Sequence, residues 1–231
     1  MFLKFPAVSS PVIENYTERL LKKYPPSWLI YMKEKIIQSA INLFITLGFK
    51  SVTMDDIASE IGISKKTIYT HFNNKTALVK ATTVHLFESI SAGIDKICSL
   101  DCDPIDELYR IKRFVMIALK DEQSSPQHQL QKYYPEIANV MQAKKFDVMA
   151  ECTLNNLKKG IEQGLYRADI DINFVSRIYF VGINGIKDDT LFPIQEFPKV
   201  KVHEDYLEYH LRGIVTPEGL KTLNKFIKTN Q

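Results

Sequence analysis

Residues 53–72 read TMDDIASEIGISKKTIYTHF and concentrate hydroxyls, amines and ring N–H groups at helical spacing. In the stretch after Ser64, Ile68 and Phe72 face inward, leaving Lys65, Lys66, Thr67, Tyr69, Thr70 and His71 outward. Lysine and threonine can reach base edges, while tyrosine, histidine and threonine commonly donate to phosphate oxygens. Eight residues at ~1.5 Å rise span about 12 Å, comparable with the ~12 Å width of a B-DNA major groove. Thr53 at one helix start and Lys75 near the next are placed to hold the nucleic-acid backbone on either side, helped by unpaired N–H groups. The chemistry is recognition of duplex DNA; the plainer alternative is an αα corner with a polar exterior.

Charge supports the first reading once it is divided by region. The 231-residue chain carries a net +3. Residues 33–80 hold seven lysines against Glu34, Asp55, Asp56 and Glu60, whereas residues 81–231 are slightly acidic. Between Glu60 and Glu88 there is no acidic residue, but four lysines and two histidines. A polyanion would seek such a segment.

Two short helices must position these side chains. Thr53 precedes a helix whose third residue is Asp56, a capping box with Asp in place of Glu or Gln. Ile57, Ala58 and Ile61 form its buried side. Gly62 and Ile63 then turn the chain, and Ser64 caps the second helix. Ala58 is small where the second helix crosses, and Gly62 permits a conformation that a Cβ would strain. Two short helices joined by a tight turn with Gly make a helix-turn-helix.

Around this motif the chain reads as all-α. Glycines number only nine, and no proline occurs from residue 27 to 103 or from 136 to 192, which favours helices. Ile36, Ile37, Ala40, Leu43, Phe44 and Leu47 form a 3.6-residue stripe closed by Gly48. The pattern predicts helices at about 33–47, 54–61, 65–71, 75–98, 104–121, 134–163, 173–189, 203–213 and 217–229, with turns at SLDCDP, SSPQ, YRADID and FPIQEFPKV. The expected division is an N-terminal extension (1–32), a helix-turn-helix domain (33–80) and a larger helical domain (81–231), the last two joined rigidly through one long helix.

The run from Ile36 to Lys80 closely resembles the N-terminal domain of the TetR/AcrR family of bacterial transcriptional regulators. The resemblance rests on A-x-x-L-F…G-F (Ala40, Leu43, Phe44, Gly48, Phe49), T-x-x-D-I-A, I-G-I-S, T-I-Y-x-H-F and N-K-x-x-L, over about a fifth of the chain. It implies a homodimeric, repressor-type regulator with DNA contacts from Thr53, Lys65, Thr67, Tyr69, His71 and Lys75. It also implies a C-terminal helical domain that binds a small effector and spaces the two DNA-reading heads. A helical effector-binding or protein-interaction module without specific DNA binding is the alternative.

Beyond residue 80 the resemblance holds only in outline. The family's dimerisation helices correspond in position to 173–189 and 203–213, with Phe174, Ile178, Val181, Gly182, Gly185, Tyr206 and His210 as contact candidates; burial within one subunit is the competing role. His85 reads as a pocket or core residue, and Phe114, Tyr133, Tyr134, Phe146, Tyr179 and Phe180 are candidates for an effector cavity, although aromatics in such positions more often belong to the core. Residues 1–32 depart from the family, which usually begins near Met32. A helix from Ile13 to Tyr24 with basic Arg19, Lys22 and Lys23 is one reading, and an extension of little function is the one favoured.

Several classes are set aside. No apolar run approaches the roughly 18 residues of a membrane span, and the N-terminus, broken by Pro6 and Pro11, lacks a signal peptide's apolar core. Three cysteines, Cys98, Cys102 and Cys152, suit reduced thiols in a cytoplasm. No P-loop, G-x-S-x-G, HExxH or dinucleotide motif marks an enzyme. No cofactor or metal is expected, since Cys98 and Cys102 have no further ligands nearby, and His203 and His210 are too far apart to share an ion.

Overall fold

The computed structural model describes residues 27–100, 102–119 and 126–230. Among them the chain forms ten helices and a single isolated bridge, Tyr166 to Val215, the all-α architecture that its sparse glycine and proline content predicts. No helix among the described residues is long and apolar enough to cross a membrane.

Helix α1 (Ser27–Leu47) starts just after Pro25 and Pro26, six residues before its expected beginning. Its stripe is buried at Ile36, Ile37, Ala40 and Phe44, but Ile41 and Ile45 complete it while Leu47 is exposed. Gly48, with φ +83°, closes the helix by donating its N–H to the Phe44 carbonyl at 3.0 Å. The possible helix at Ile13–Tyr24 lies outside the described residues.

Helices α2 (Met54–Ile61), α3 (Lys65–His71) and α4 (Lys75–Cys98) follow as the spacing predicts. Ile36, Phe44, Ile57, Ile68 and Leu78 are among the most deeply buried side chains of the head. Each contributes roughly 1.5–3 kcal/mol by leaving water. The same core takes in Leu130 of α6 (Pro126–Tyr133) and Ala138 of α7 (Pro135–Glu162). Two later helices therefore brace the head.

The body comprises α5 (Pro104–Ala118), α6, α7, α8 (Ile172–Gly185), α9 (Lys199–Ile214) and α10 (Pro217–Asn230) around a second core that includes Leu157, Tyr166, Leu207, Leu211 and Leu223. A polar clamp joins α5 to α7. Glu107, 3% exposed, accepts from the Asn156 side-chain amide at 2.7 Å and from Lys159 at 3.3 Å. The Asn156 amide also donates to the Pro104 carbonyl (2.9 Å), and its oxygen accepts from the Tyr166 hydroxyl (3.1 Å). Gly160 lies under the Tyr166 ring, where a Cβ would come within 2.0 Å of it.

Three further departures from the sequence pattern have physical causes. Pro126, read as part of a turn, begins α6, because the first helical position needs no N–H. Helix α8 stops at Gly185 rather than 189: Asp188 accepts from the Thr190 N–H at 2.8 Å and hydroxyl at 2.6 Å, turning the chain. Helix α9 begins at Lys199 instead of 203, and that buried lysine is paired with Asp189.

Candidate nucleic-acid interface and body cavity

The capping box at α2 is complete. Thr53 Oγ1 accepts from the Asp56 N–H (3.2 Å), while Asp56 Oδ2 accepts from both the Thr53 N–H (2.7 Å) and the Thr53 hydroxyl (2.8 Å). These bonds hold the Asp56 carboxyl below its ordinary pKa. Gly62 adopts φ +70°, ψ +38°, and Ile63 N–H bonds back to the Ala58 carbonyl at 3.0 Å. A Cβ at Gly62 would meet nothing within 4 Å, so the demand for glycine is conformational alone.

Ser64 caps α3 by accepting from the Thr67 N–H at 3.1 Å, and the two hydroxyls lie 2.9 Å apart. Thr70 donates to the Thr67 carbonyl at 2.6 Å. The inward pair is buried, as the spacing predicts: Ile68 and Phe72. Lys65, Lys66, Tyr69 and Thr70 are exposed, with Thr67 and His71 half-buried. Lys65 reaches back to Asp55 at 2.6 Å, an exposed pair that water and salt screen.

Lys33 of α1, which the sequence reading passed over, adds to this basic face. Its ammonium stands 6.0 Å from the Phe72 ring centre. Desolvation, then the Lys33 charge, lowers the His71 pKa.

Lys75 is placed otherwise than expected. Its ammonium donates to the Phe49 carbonyl at 2.5 Å and lies 6.0 Å from the Phe44 ring centre. Partial burial lowers its pKa, opposed by the Asp56 charge. In this DNA-free arrangement it ties α4 to the end of α1 instead of projecting outward.

Behind the head the body holds a cavity of about 270 Å³. Phe44, Phe49, Phe87, Met116, Met141 and Val148 are among its apolar walls, with Lys112, Lys145, Lys187, Asn184 and His203 among its polar ones. His203 is buried and donates Nδ1–H to the Lys199 carbonyl at 2.8 Å.

Of the aromatic and histidine candidates only Tyr179 lines this cavity. His85 instead faces Glu34 at 3.3 Å in a shallow outer groove. Phe114 fills the space over Gly93. Tyr134 packs edge-on against Phe49, Phe146 packs edge-on against Phe180, and Tyr133 lies by Lys50 and Lys132. The lining comes instead from Phe44, Phe49 and Phe87, which were not among the candidates, and from many aliphatic and methionine side chains.

The α8–α9 candidates also divide. Phe174, Ile178 and Val181 are 62%, 46% and 61% exposed in one row along α8. A Cβ on Gly185 at the end of that row would have open space. His210 is corrected: it is buried inside the subunit against Tyr179, ring centres 4.6 Å apart. Tyr206 and Gly182 serve the α8–α9 packing within the subunit, since the Tyr206 ring covers Gly182 and its hydroxyl donates to the Ile178 and Tyr179 carbonyls, each at 3.2 Å.

Among the thiols, Cys98 lies 3.5 Å from Cys152, a residue 54 positions away, rather than pairing with Cys102. Burial raises the pKa of all three.

A capped helix-turn-helix with an exposed basic reading helix, carried on an all-helical body, defines a DNA-binding transcriptional regulator. Residues 36–82 match the family model for bacterial regulatory proteins of the tetR family. The repressor KstR2 of Mycolicibacterium smegmatis is 22% identical over 209 residues, 85% of this chain and 97% of that protein. IcaR of Staphylococcus aureus, a negative regulator of the biofilm operon icaADBC, is 34% identical over 79 residues, 34% of this chain; the match spans only 42% of IcaR. Among solved structures, SmeT, the repressor of the Stenotrophomonas maltophilia efflux pump SmeDEF, shares the fold with a TM-score of 0.61 at 16% identity, over 80% of this chain and 91% of SmeT.

Proposed function

We propose that the chain is a dimeric cytoplasmic repressor, not an enzyme, that binds a near-palindromic operator through α3 and releases it when a small effector occupies the body cavity. The observation that carries this reading is the α3 face, where Lys65, Lys66, Tyr69 and Thr70 stand exposed on a segment free of carboxylates from Glu60 to Glu88. Thr53, Ser64, Thr67 and His71 flank that face, and Lys75 acts as a brace in the free protein. Two such heads read half-sites about one helical turn apart, ~34–36 Å, or a multiple of it.

The exposed apolar row on α8 supports self-association, because a second copy would take Phe174, Ile178 and Val181 out of water. Phe44 and Phe49 belong both to the head core and to the cavity wall, which supports direct coupling between occupant and head. An occupant that favours one head placement shifts the population away from the other, and operator DNA weakens the occupant by the same factor.

A gel shift against DNA upstream of the chain's own gene tests the reading. The expected result is sequence-specific, salt-sensitive retardation. Lys66→Ala lowers affinity about evenly across sequences and flattens the salt dependence, whereas Thr67→Ala or Lys65→Ala changes sequence preference. Absence of any retardation at low salt refutes it. Light scattering checks self-association: wild type runs as a dimer, and the Phe174→Asp/Val181→Asp double variant as a monomer.

A further inference from the structure

We propose that Cys98 and Cys152 form a reversible disulfide, a covalent modification site between α4 and α7 whose co-reactant is a low-molecular-weight disulfide. Both are free thiols with their sulfurs in contact, 3.5 Å apart. Cys98 is the last residue of α4, and Cys152 lies on α7 in the wall of the cavity. A disulfide bond measures ~2.05 Å, so the sulfurs must close by about 1.5 Å, a distance that modest side-chain rotation supplies. Sequence alone favours Cys102 as the partner of Cys98, because the shorter loop closes at lower entropic cost. The fold overrides this. It brings Cys98 to a thiol 54 positions away and ties the Cys102 backbone to α7, where the Lys159 ammonium donates to the Cys102 carbonyl at 2.6 Å.

Both thiols are half-buried. Burial raises both pKa values, that of Cys152 the further, so Cys98 is the thiol that ionises first. Its thiolate attacks a disulfide R–S–S–R, giving Cys98–S–S–R and releasing RS⁻, which takes up the proton that Cys98 lost. Cys152 then gives up its proton, attacks the Cys98 sulfur and expels the second RS⁻, which leaves as RSH. Two protein thiols and one R–S–S–R thus become one protein disulfide and two RSH. Scarce thiolate makes the first step slow. The same raised pKa makes both sulfurs poor leaving groups, so the finished bridge is slow to be reduced. In a reducing compartment such a pair responds to sustained disulfide stress. Both helices also enter the head core, α4 through Leu78 and Val79 and α7 through Ala138. The bridge therefore fixes two supports of the head against each other.

Oxidised glutathione, added in excess to the full-length protein at about pH 8, tests this. Remaining thiols are blocked with iodoacetamide in urea, and the tryptic peptides are read by mass spectrometry without reduction. The expected product joins peptide 97–110 to peptide 146–158, lighter by two hydrogens than the pair, and dithiothreitol separates them. Cys102→Ser should keep this product, whereas Cys98→Ser and Cys152→Ser should each abolish it; far-UV circular dichroism confirms that the variants are folded. Protein oxidised in urea should instead favour the bridge from Cys98 to Cys102. Three outcomes overturn the proposal: a native bridge to Cys102, a persistent glutathione adduct on Cys98, or native thiols that stay unmodified while the urea sample reacts. A second readout rests on the reading of the chain as an operator-binding regulator. The bridged form should change its operator affinity in the gel shift at least about fivefold, and dithiothreitol should restore it. A bridge that forms and leaves the gel shift unchanged sustains the modification site and refutes its use as a switch.

Discussion

The clamp between α5 and α7 makes a quantitative demand. Replacing Asn156 with Leu removes its bonds to Glu107 at 2.7 Å, the Pro104 carbonyl at 2.9 Å and the Tyr166 hydroxyl at 3.1 Å. The bond to the charged carboxylate contributes roughly 1.5–3 kcal/mol and the neutral pair about 1 kcal/mol each. The stranded Glu107 keeps only Lys159, at 3.3 Å, and is 3% exposed. The expected loss is therefore about 3–5 kcal/mol, a large share of the 5–15 kcal/mol typical of a domain. Urea denaturation followed by far-UV circular dichroism measures it. Asn156→Asp sharpens the test, because it keeps the shape but sets one carboxylate against another. Mutual repulsion raises the folded-state pKa of such a pair. The added destabilisation should be small near pH 4 and grow as pH rises through the carboxylate range. A loss below about 1 kcal/mol for Asn156→Leu, or a pH-independent loss for Asn156→Asp, would refute the assignment of the clamp as a stabilising unit.

His210 gives a second pH signature. Burial pushes its pKa down to about 4 from an unfolded value near 6.5. The folded state therefore resists protonation, and stability present above the unfolded value declines as pH falls toward 4, by on the order of 3 kcal/mol. His210→Phe should flatten that part of the stability–pH profile. At Gly62, Ala meets no neighbour but must adopt φ +70°, so Gly62→Ala should cost about 1–2 kcal/mol with the fold retained, read from the urea midpoint. Replacing Gly160 with Ala drives a methyl into the buried Tyr166 ring. It should cost about 1–3 kcal/mol by the same assay.

The head was legible in the sequence because its constraints are local. Thr53 and Asp56, three residues apart, close a capping box; Gly48 and Gly62 fall where the chain must turn with positive φ; Ser64 caps α3. Pro126 misled because proline both breaks helices and starts them, and spacing alone does not choose. His210 has the periodicity of an interface residue, but only the placement of Tyr179 decides that its face points inward. The cavity was the least legible part. An aliphatic or methionine side chain looks the same in sequence whether it touches a neighbour or empty space, and the aromatics picked out as lining found partners of their own, Phe146 with Phe180 among them. The approach of Cys98 to Cys152 and the clamp from Glu107 to Asn156 join residues about fifty positions apart, where no spacing rule reaches.

Phe44 and Phe49 are shared between the recognition head and the hollow behind it. Anyone retuning this molecule as a biosensor for a different compound has unequal freedom around that hollow. Edits to the two phenylalanines would unsettle the DNA reader along with the sensor. Edits to Met116, Met141 and Val148, which wall the hollow from α5 and α7 and are not part of the head core, can change what fits while leaving the reader's own packing alone.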